Sequence, residues 1–502
     1  MKKLIIATLA ALMLPLTACD SYLDINDDPN SPTESNITSS MLFPAIEMNL
    51  ASAYGNFSRI CGGYFAEHYA HQFGTSNYVD YSQFTMSATR SSTMYSLYFQ
   101  GALSNNETVL SKSLDAEEYG TYLAATVIRA FIFTAMVDCY GEVPYTEALD
   151  EDIVSPNYDD GLTIYRGVID ELDNALALAN ASDIVCTNFL YPSGTAAEWI
   201  QFANALKLKL LMRMADVESV QSELAELVEE DNFPTEDVAF TDCWSDESGS
   251  MNPYYAEEFS TSWGSTQINV VANVAIINSM QIIDSEGNIE YTDPRLAAFF
   301  EPNTDDGEWH GGVSGTNHTN ASGTGYFCRP VASYDMPLVL ISVAEVEFFL
   351  SEYYARYGSS TDAEEHYAAA IEASFASAGV DGAEANIERY PFDESNYKKS
   401  IGEAKWVALS GVNSYEAWCE MRRLRYPEFS GDTGNDYYDI NSGTFSDAGV
   451  YEPFTLYTPI DVFSQVGSDN LLERWPYAEY SSARNSNTPT FPGYTTPVFW
   501  AE

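Results

Sequence analysis

MPLVLISVAEVEFFLSEYYARYG, residues 336–358, and TDAEEHYAAAIEASFASAG, residues 361–379, stand two residues apart in the sequence. In both segments, apolar and small residues recur every three or four positions, which is the spacing of an amphipathic helix. Helices paired in this way stack, and each buries the face that the next one exposes. The two segments therefore predict a helix pair that forms part of a larger helical scaffold.

The same pair carries small and aromatic residues at spacings similar to those of tetratricopeptide repeats. These residues are Ala344, Tyr354, Gly358, Ala363, Tyr367, Ala370 and Ile371. Further apolar-periodic pairs occur at 121–141 with 158–180, 196–216 with 217–230, and 397–411 with 412–427. The pairs are irregularly spaced, which indicates that insertions interrupt the repeats. We predict a mainly α-helical fold in which tetratricopeptide-like helix pairs form a scaffold at about 115–230 and 336–427.

Long insertions, partly irregular, make up the other half of the predicted architecture. Residues 54–95, 231–335 and 428–502 are rich in Gly, Ser, Asn, Asp, Pro and aromatic residues. Long loops within a compact domain are usually functional or disordered. Because Trp and Tyr are embedded in them at intervals, we predict that these three segments form an ordered binding face on the helical scaffold.

The N-terminus reads as a secretion signal that ends at a cysteine. Lys2 and Lys3 precede an apolar run, residues 4–16, that is too short to span a bilayer as a helix. Leu16-Thr17-Ala18-Cys19 resembles the bacterial lipobox, in which the cysteine becomes the acylated N-terminus. We therefore predict a lipoprotein signal peptide at 1–18, a lipid anchor at Cys19, an acidic tether at 19–36 and a folded domain at 37–502.

The composition excludes some classes of partner. The chain has 74 acidic and 22 basic residues, a net charge of −52, and 45% of its residues are hydrophobic. A nucleic-acid binder needs Lys and Arg to displace counterions from phosphate, so we predict no nucleic-acid partner. Charge attraction to anionic lipid is excluded as well. The 35 Tyr, 26 Phe and 8 Trp exceed what a core of this size needs, and such rings suit sugars, peptides and protein interfaces.

Signatures of catalysis and of metal binding are weak. The sequence has no G-x-S-x-G, H-E-x-x-H or G-x-x-x-x-G-K-[ST] motif. His68 and His71 lie three apart on a predicted helix without a third ligand, so we interpret them as partly exposed helix residues. The six cysteines after Cys19 form no C-x-x-C pair, and Cys139 and Cys419 read as small buried hydrophobes. We predict no catalytic residue, no metal and no cofactor.

Trp418, Arg422 and Arg423 lie at i, i+4 and i+5 of a predicted helix, and Lys405-Trp406 lie shortly before it. In so acidic a chain, arginines find carboxylate partners, so these residues predict a structural cluster of ion pairs and stacked rings.

Ligand-contacting residues are predicted where packing demands aromatic rings least, in polar loops rich in glycine. The candidates are Tyr78, Tyr81, Trp244, Trp263, Trp309 and Tyr326. Asn77, Asp80, Asp246 and Asp306 lie near them and are candidate acceptors for sugar hydroxyl groups.

Several stretches, taken in chain order, resemble the SusD/RagB family of outer-membrane nutrient-binding lipoproteins of Bacteroidetes, and its SusD-like subgroup in particular. The stretches are CDSYLDINDDPNSPT (19–33), DCYGEVPYTEAL (138–149), ANALKLKLLMR (203–213), DPRL (293–296), SVAEVEFFLSEYYARYG (342–358), EAKWVALSGVNSYEAWCEMRRLRYPEF (403–429) and RWPYAEYSSARN (474–485). No motif for ligand-contacting residues carries over, because the family's ligand aromatics lie on variable loops.

The resemblance implies a lid over a SusC-like TonB-dependent outer-membrane transporter. Such a protein is lipid-anchored in the outer membrane, faces the extracellular side, captures a nutrient and delivers it to the channel without chemical turnover. The abundant aromatic residues favour an oligosaccharide as the nutrient. Three alternatives stay open: a peptide-binding protein in the same kind of complex, an extracellular enzyme that degrades glycans or peptides, and a scaffold for other surface proteins.

Overall fold

The computed structural model describes residues 37–501, except 73–74, 76, 151, 261–268, 285, 305–306, 316–326, 434–437, 440–443 and 446–451. This part of the chain is mainly helical, as the periodicity predicts. Cys19 and the segments 1–18 and 19–36 lie outside the described residues.

The N-terminal part contains two long continuous helical runs. Helix α1 (Ser39–Ala51) passes through π-helical turns at Ser52–Ser58 into α2 (Arg59–Phe65). After the short helix α3 (Val79–Ser82), helix α4 (Ala88–Ser96) passes through π-helical turns at Leu97–Leu103 into α5 (Ser104–Asp115).

These runs correct the loop-rich character that the composition of 54–95 predicts, because helix occupies both ends of that segment. The small residues there allow close helix packing instead of forming loops. At Gly62, for example, a Cβ would lie 2.3 Å from the Cα of Tyr415. Only glycine lets the two backbones approach so closely.

The predicted helix pairs are confirmed. They are α6 (Tyr119–Tyr140) with α7 (Gly161–Leu178), α8 (Ala197–Met214) with α9 (Gln221–Glu230), and, further along the chain, two pairs introduced below. Gly141 ends α6 with φ at 82°, and the Asp160 carboxylate caps α7 by accepting from the Thr163 N–H at 2.9 Å. Helix α6 is long and apolar enough to cross a membrane, but most of it is buried inside the protein.

Three short helices, α10 (Pro253–Glu258), α11 (Val274–Met280) and α12 (Leu296–Phe299), lie in the long insertion between the second and third pairs. The third pair is α13 (Val343–Tyr357) with α14 (Ser360–Ser377), which is followed by α15 (Ala383–Arg389). A 3₁₀ turn at Glu394–Asn396 leads into the fourth pair, α16 (Tyr397–Leu409) with α17 (Ser414–Leu424), and α18 (Glu479–Arg484) lies near the C-terminus.

Strands are short and paired two by two within the described residues. The antiparallel pairs are β1 (Tyr69–His71) with β3 (Val270–Ala272), β2 (Val238–Phe240) with β8 (Leu338–Ile341), β4 (Gln281–Ile283) with β5 (Ile289–Thr292), β6 (Phe300–Glu301) with β7 (Arg329–Pro330), and β10 (Tyr438–Asp439) with β11 (Thr444–Phe445). β9 (Glu428–Thr433) and β12 (Thr455–Thr458) pair in parallel. Strand β8 occupies the start of the stretch 336–358, and Ser342 then caps α13. The pair β2–β8 ties the insertion 231–335 to the start of the third helix pair, and β1–β3 joins two insertions to each other.

A balanced set of charged side chains lies at the centre of the scaffold, each 7% exposed or less. This central ion cluster consists of Asp138, Lys209, Arg213, Glu345, Glu352, Lys405, Glu416, Glu420, Arg422 and Arg423. Five of these side chains are acidic and five are basic, so the cluster is formally neutral. Its members come from five helices, α6, α8, α13, α16 and α17.

Short ion pairs connect the cluster. The Lys209 ammonium lies 2.6 Å from Glu345 and 3.1 Å from Glu416. The Arg422 guanidinium lies 3.6 Å from the centre of the Trp418 ring. Burial, and then the charge of Glu416, raise the pKa of Glu345 to about 7. The sequence prediction of a structural ion-pair and stacking cluster is confirmed.

Candidate functional site

Tyr78 and Tyr81 are buried, at 6% and 1% exposure, and their rings stack with centroids 5.5 Å apart. The Arg90 guanidinium lies 5.1 Å from the Tyr81 ring and forms an ion pair with Asp80 at 3.1 Å. The structure thus brings the predicted residues Tyr78, Asp80 and Tyr81 together. The two tyrosine rings, however, form a packed aromatic cluster with Tyr64. The premise that packing demands these two rings least is wrong. Their contact with a ligand stays a prediction.

Trp244 and Trp309 are half-buried, and both pack against the hydrophobic core. The Trp244 indole N–H donates to the Phe240 carbonyl oxygen at 3.3 Å, while Asp246 beside it is exposed. Asn77 is exposed too. The remaining candidates, Trp263, Tyr326 and Asp306, lie outside the described residues.

The prediction of partly exposed helix histidines is wrong, because α2 ends at Phe65 and the chain turns at Glu67, whose φ is 53°. His68 follows this turn and His71 ends strand β1, and both are fully buried. The His68 Nδ1 lies 3.0 Å from the Ser414 Oγ, and burial lowers the pKa of His68 to about 3. Within the described ranges, no three His, Cys, Asp or Glu side chains lie together as a metal site would require.

The prediction that Cys139 and Cys419 are small buried hydrophobes is confirmed, because both are buried among apolar side chains of the core. The six cysteines of the described chain are free thiols.

A cavity of about 370 Å³ opens between α14, α15 and α16, and we call it the α14–α16 cavity. Most of its lining belongs to the scaffold, and the three predicted loop segments contribute Ser279, Asp293, Arg295 and Phe454. Its volume lies within the range of small-molecule binding pockets.

Aromatic side chains form one wall of this cavity. The rings of Tyr390 and Phe454 meet edge to face with centroids 5.0 Å apart. The Tyr367 hydroxyl donates to the Tyr390 carbonyl oxygen at 2.9 Å, and the Phe454 N–H donates to the Ser279 Oγ at 2.7 Å. These bonds fix the wall, which offers aromatic surface beside polar groups.

A buried polar group supports the cavity from within. Arg295 donates to both carboxylate oxygens of Asp293, at 3.0 and 2.7 Å, and to the Ser374 Oγ at 2.9 Å. The Asn386 side-chain amide donates to Asp293 at 3.1 Å and to the Tyr291 hydroxyl at 2.9 Å. Each charge here is paired, so this group holds the site in place and is not free for a ligand.

Three side chains of the lining keep unused hydrogen-bonding capacity. Arg389 donates to the Tyr390 hydroxyl at 3.2 Å, but its contact with Glu290 is 3.8 Å. Lys399 lies 3.8 Å from Glu403. Burial raises the pKa of Glu403 to about 7. These groups can contact a bound molecule without first breaking a short ion pair.

A second cavity, of about 320 Å³, lies beside α5 and α6. Arg129 in its lining is in short ion pairs with both Glu107 and Glu171. Since this cation is already neutralised, the cavity offers less to a ligand than the α14–α16 cavity does.

Sequence reasoning missed the α14–α16 cavity because it searched the loops. One signal was present in YPFDESNYKKS, residues 390–400, which joins three aromatic residues to a pair of lysines. Adjacent lysines are conspicuous in a chain with 22 basic and 74 acidic residues.

The comparisons with known proteins agree on one family. A family model described as SusD-like, starch-binding associating with outer membrane, matches residues 29–443. No curated protein matches the chain.

Solved structures resemble the chain over most of its length. A SusD homologue from Bacteroides uniformis has a TM-score of 0.72 at 20% identity, covering 91% of this chain and 98% of its own. One from Bacteroides vulgatus has a TM-score of 0.68 at 17% identity, covering 89% and 92%. A chitin-binding SusD homologue from Flavobacterium johnsoniae has a TM-score of 0.68 at 17% identity, covering 91% and 98%. At these identities the likeness shows the fold.

Proposed function

The chain belongs to the SusD-like family, and from this premise we propose that it is a cell-surface lipoprotein that captures an oligosaccharide and delivers it to a SusC-like TonB-dependent transporter. The observation that carries the proposal is the family match along residues 29–443, whose description joins starch binding with the outer membrane. The chitin-binding homologue of the same fold supports a glycan as the ligand.

The α14–α16 cavity is the site that we propose for this ligand. A sugar ring has an apolar face that packs on an aromatic ring and hydroxyl groups that bind polar neighbours. Tyr390 and Phe454 supply the aromatic surface, while Arg389, Lys399 and Glu403 supply donors and acceptors around it. The predicted loop aromatics, Trp309 among them, remain candidates for further contacts.

Capture without turnover is part of the proposal. A glycosidase needs two carboxyl groups free to act on the scissile bond. In the cavity, the Asp393 carboxylate instead accepts hydrogen bonds from the Ser395 N–H at 2.9 Å and its hydroxyl at 2.6 Å. Asp393 thereby caps the 3₁₀ turn, and Asp293, the other aspartate of the lining, is held by Arg295, so neither is free to act with Glu403.

Membrane attachment follows from the sequence at Cys19. With acyl chains on this residue, the protein is held at the outer face of the outer membrane. The 18 residues 19–36 span at most about 60 Å when fully extended. This length allows the folded domain to stay anchored while it moves relative to a channel beneath it.

The first test is a pull-down from the outer membranes of the native host with an affinity-tagged full chain. We expect a large β-barrel transporter to co-purify in a near-equal amount. If no barrel protein co-purifies under conditions that retain the lipoprotein in the membrane, the lid role is refuted.

Glycan binding is tested with Tyr390→Ala. Loss of the aromatic surface should weaken oligosaccharide binding by about 1 kcal/mol. Tyr480→Ala is the matched control, because Tyr480 lies on α18 and is 54% exposed. Equal affinity of the two variants would remove the cavity from the proposal.

A further inference from the structure

We propose that the α14–α16 cavity selects an acidic glycan, in which a sugar ring carries a carboxylate. This inference rests on the proposed function and names the class of ligand for the same site. It follows from how the few cations of this chain are distributed and paired.

Cations are scarce in the protein but concentrated at this cavity. Only 22 of the 502 residues are Lys or Arg, and the net charge is −52. Three of them, Arg295, Arg389 and Lys399, are among the 17 residues that line the cavity. An anion that is repelled by most of this surface therefore meets a local group of positive charges here.

Two of these three cations are open to a ligand. Arg295 is neutralised by its two hydrogen bonds to Asp293. By contrast, Arg389 and Lys399 are 35% and 50% exposed, and the ion-pair contact of each is 3.8 Å long. Contacts of that length are too long for hydrogen bonds, so both side chains have N–H groups to donate.

The acidic residues of the lining form no short ion pair with these two cations. Asp293 is taken up by Arg295, and Asp393 caps the 3₁₀ turn. Glu403 is mostly buried and lies near Glu428, and both effects disfavour its charged form, against the opposite effect of Lys399. Arg389 and Lys399 are therefore cations that a carboxylate can bind without displacing a close counter-ion.

Two other cations, one beside Lys399 and one in the second cavity, are held in short ion pairs, unlike Arg389 and Lys399. Lys398, one residue before Lys399, is bound to Asp216 at 3.0 Å. In the second cavity, Arg129 is held by Glu107 and Glu171. The two open cations thus coincide with the aromatic wall of the α14–α16 cavity.

The geometry fits a sugar acid. The Arg389 guanidinium lies 5.7 Å from the centre of the Tyr390 ring and 4.8 Å from that of Tyr291. A pyranose that packs on Tyr390 would place a ring carboxylate within reach of Arg389. Arginine binds carboxylates through two parallel N–H donors, which a neutral hydroxymethyl group cannot match.

The test is calorimetric titration of the detergent-solubilised full chain with tetrasaccharides of galacturonate, glucuronate and mannuronate. Each is paired with its carboxyl-reduced form, in which the carboxylate becomes a primary alcohol. We expect at least one acidic tetrasaccharide to bind ten times more tightly than its reduced form. Raising the salt concentration from 50 to 500 mM should weaken binding of the acidic tetrasaccharide and leave binding of the reduced form unchanged.

Substitutions locate the effect. Lys399→Gln and Arg389→Gln should each lower the affinity for the acidic tetrasaccharide by three- to thirty-fold and lower that for the reduced form by a smaller factor. Lys398→Gln is the matched control, since it removes the same charge one residue away and should change neither affinity. Thermal melts confirm that each variant is folded.

The outcomes separate this inference from the proposed function. If reduced and acidic tetrasaccharides bind equally and Tyr390→Ala weakens both, the glycan-binding function stands and the acidic preference is overturned. If acidic binding is strong but Lys399→Gln and Lys398→Gln behave alike, the preference arises elsewhere and the inference is overturned. If no saccharide of the panel binds, the inference fails, and the pull-down then decides the lid role separately.

Discussion

Arg423→Met tests whether the central ion cluster holds the scaffold together. Arg423 donates to both oxygens of Glu352, at 2.8 and 2.6 Å, and to both oxygens of Glu420, at 3.1 and 2.7 Å. Methionine keeps much of the apolar volume and removes the charge and the donors. Both carboxylates then stay in the interior with one cation fewer.

The expected cost follows from the burial of all three partners. Arg423, Glu352 and Glu420 have side chains that are 4% exposed or less. Removing one member of a buried ion pair costs about 3–5 kcal/mol, because the remaining charge loses both water and partner. Arg356 still pairs with Glu352, and Lys405 with Glu420, so we expect the lower half of this range.

The assay is urea unfolding followed by circular dichroism and tryptophan fluorescence. Arg166→Met is the matched control, since Arg166 also binds two carboxylates, Glu218 and Glu223, but at the surface. Its side chain is 31% exposed, so its loss should cost at most about 1 kcal/mol. Adding Glu352→Gln to Arg423→Met should recover part of the lost stability, because it removes one of the two buried negative charges that lost Arg423 as a partner.

Equal losses of stability for the Arg423 and Arg166 variants would refute this reasoning. So would a double variant that is less stable than Arg423→Met alone. Either result would mean that the buried charges are stabilised by the rest of the interior, rather than by one another.

Three further substitutions test other parts of the structure. Burial raises the pKa of Glu47 from 4.5 to about 8, so the stability that its protonated form contributes is complete below pH 4.5 and is lost as the pH rises through 8. Glu47→Gln should reduce the loss of unfolding free energy between pH 5 and pH 8. An unchanged dependence of this free energy on pH, measured by urea unfolding, would contradict the reasoning. Cys19→Ala should release the protein from membranes, and its retention in the membrane fraction would exclude the lipid anchor. Trp309→Ala should weaken oligosaccharide binding by about 1–3 kcal/mol if the ring is an aromatic platform, whereas unchanged affinity in a folded variant would remove it from the site.

The helix pairs were predictable from sequence because their periodicity is long and regular. The pair at 336–379 is found as α13 and α14, with strand β8 in front of them. The hydrophobic periodicity did not reveal strand β8, because its sequence, LVLI, is a short apolar run that fits part of a helix equally well.

Composition was the weaker guide. The small residues of 54–65 read as loop, although Gly62 allows two backbones to pack closely. The same reasoning treated Tyr81 as an available ring, whereas it is 1% exposed. Composition reports how many aromatic rings a segment has, but burial depends on what packs over them, and that is set by distant parts of the chain.

The candidate site was hidden for a related reason. Arg389, Lys399 and Tyr390 lie at helix ends and in a short connection, where helical periodicity predicts an ordinary polar surface. Only the folded arrangement brings Phe454 against Tyr390 and closes a cavity. The pairing state of each cation, which distinguishes Lys399 from Lys398, also depends on partners far away in sequence.

The central ion cluster has a mechanical consequence. It joins five helices that belong to the four helix pairs of the scaffold. Separating any one of them from the others would leave buried charges with neither an ion-pair partner nor water. We therefore expect the scaffold to be stiff where these five helices meet. In the proposed lid role, these five helices therefore move as one body, and α16, which lines the α14–α16 cavity, moves with them.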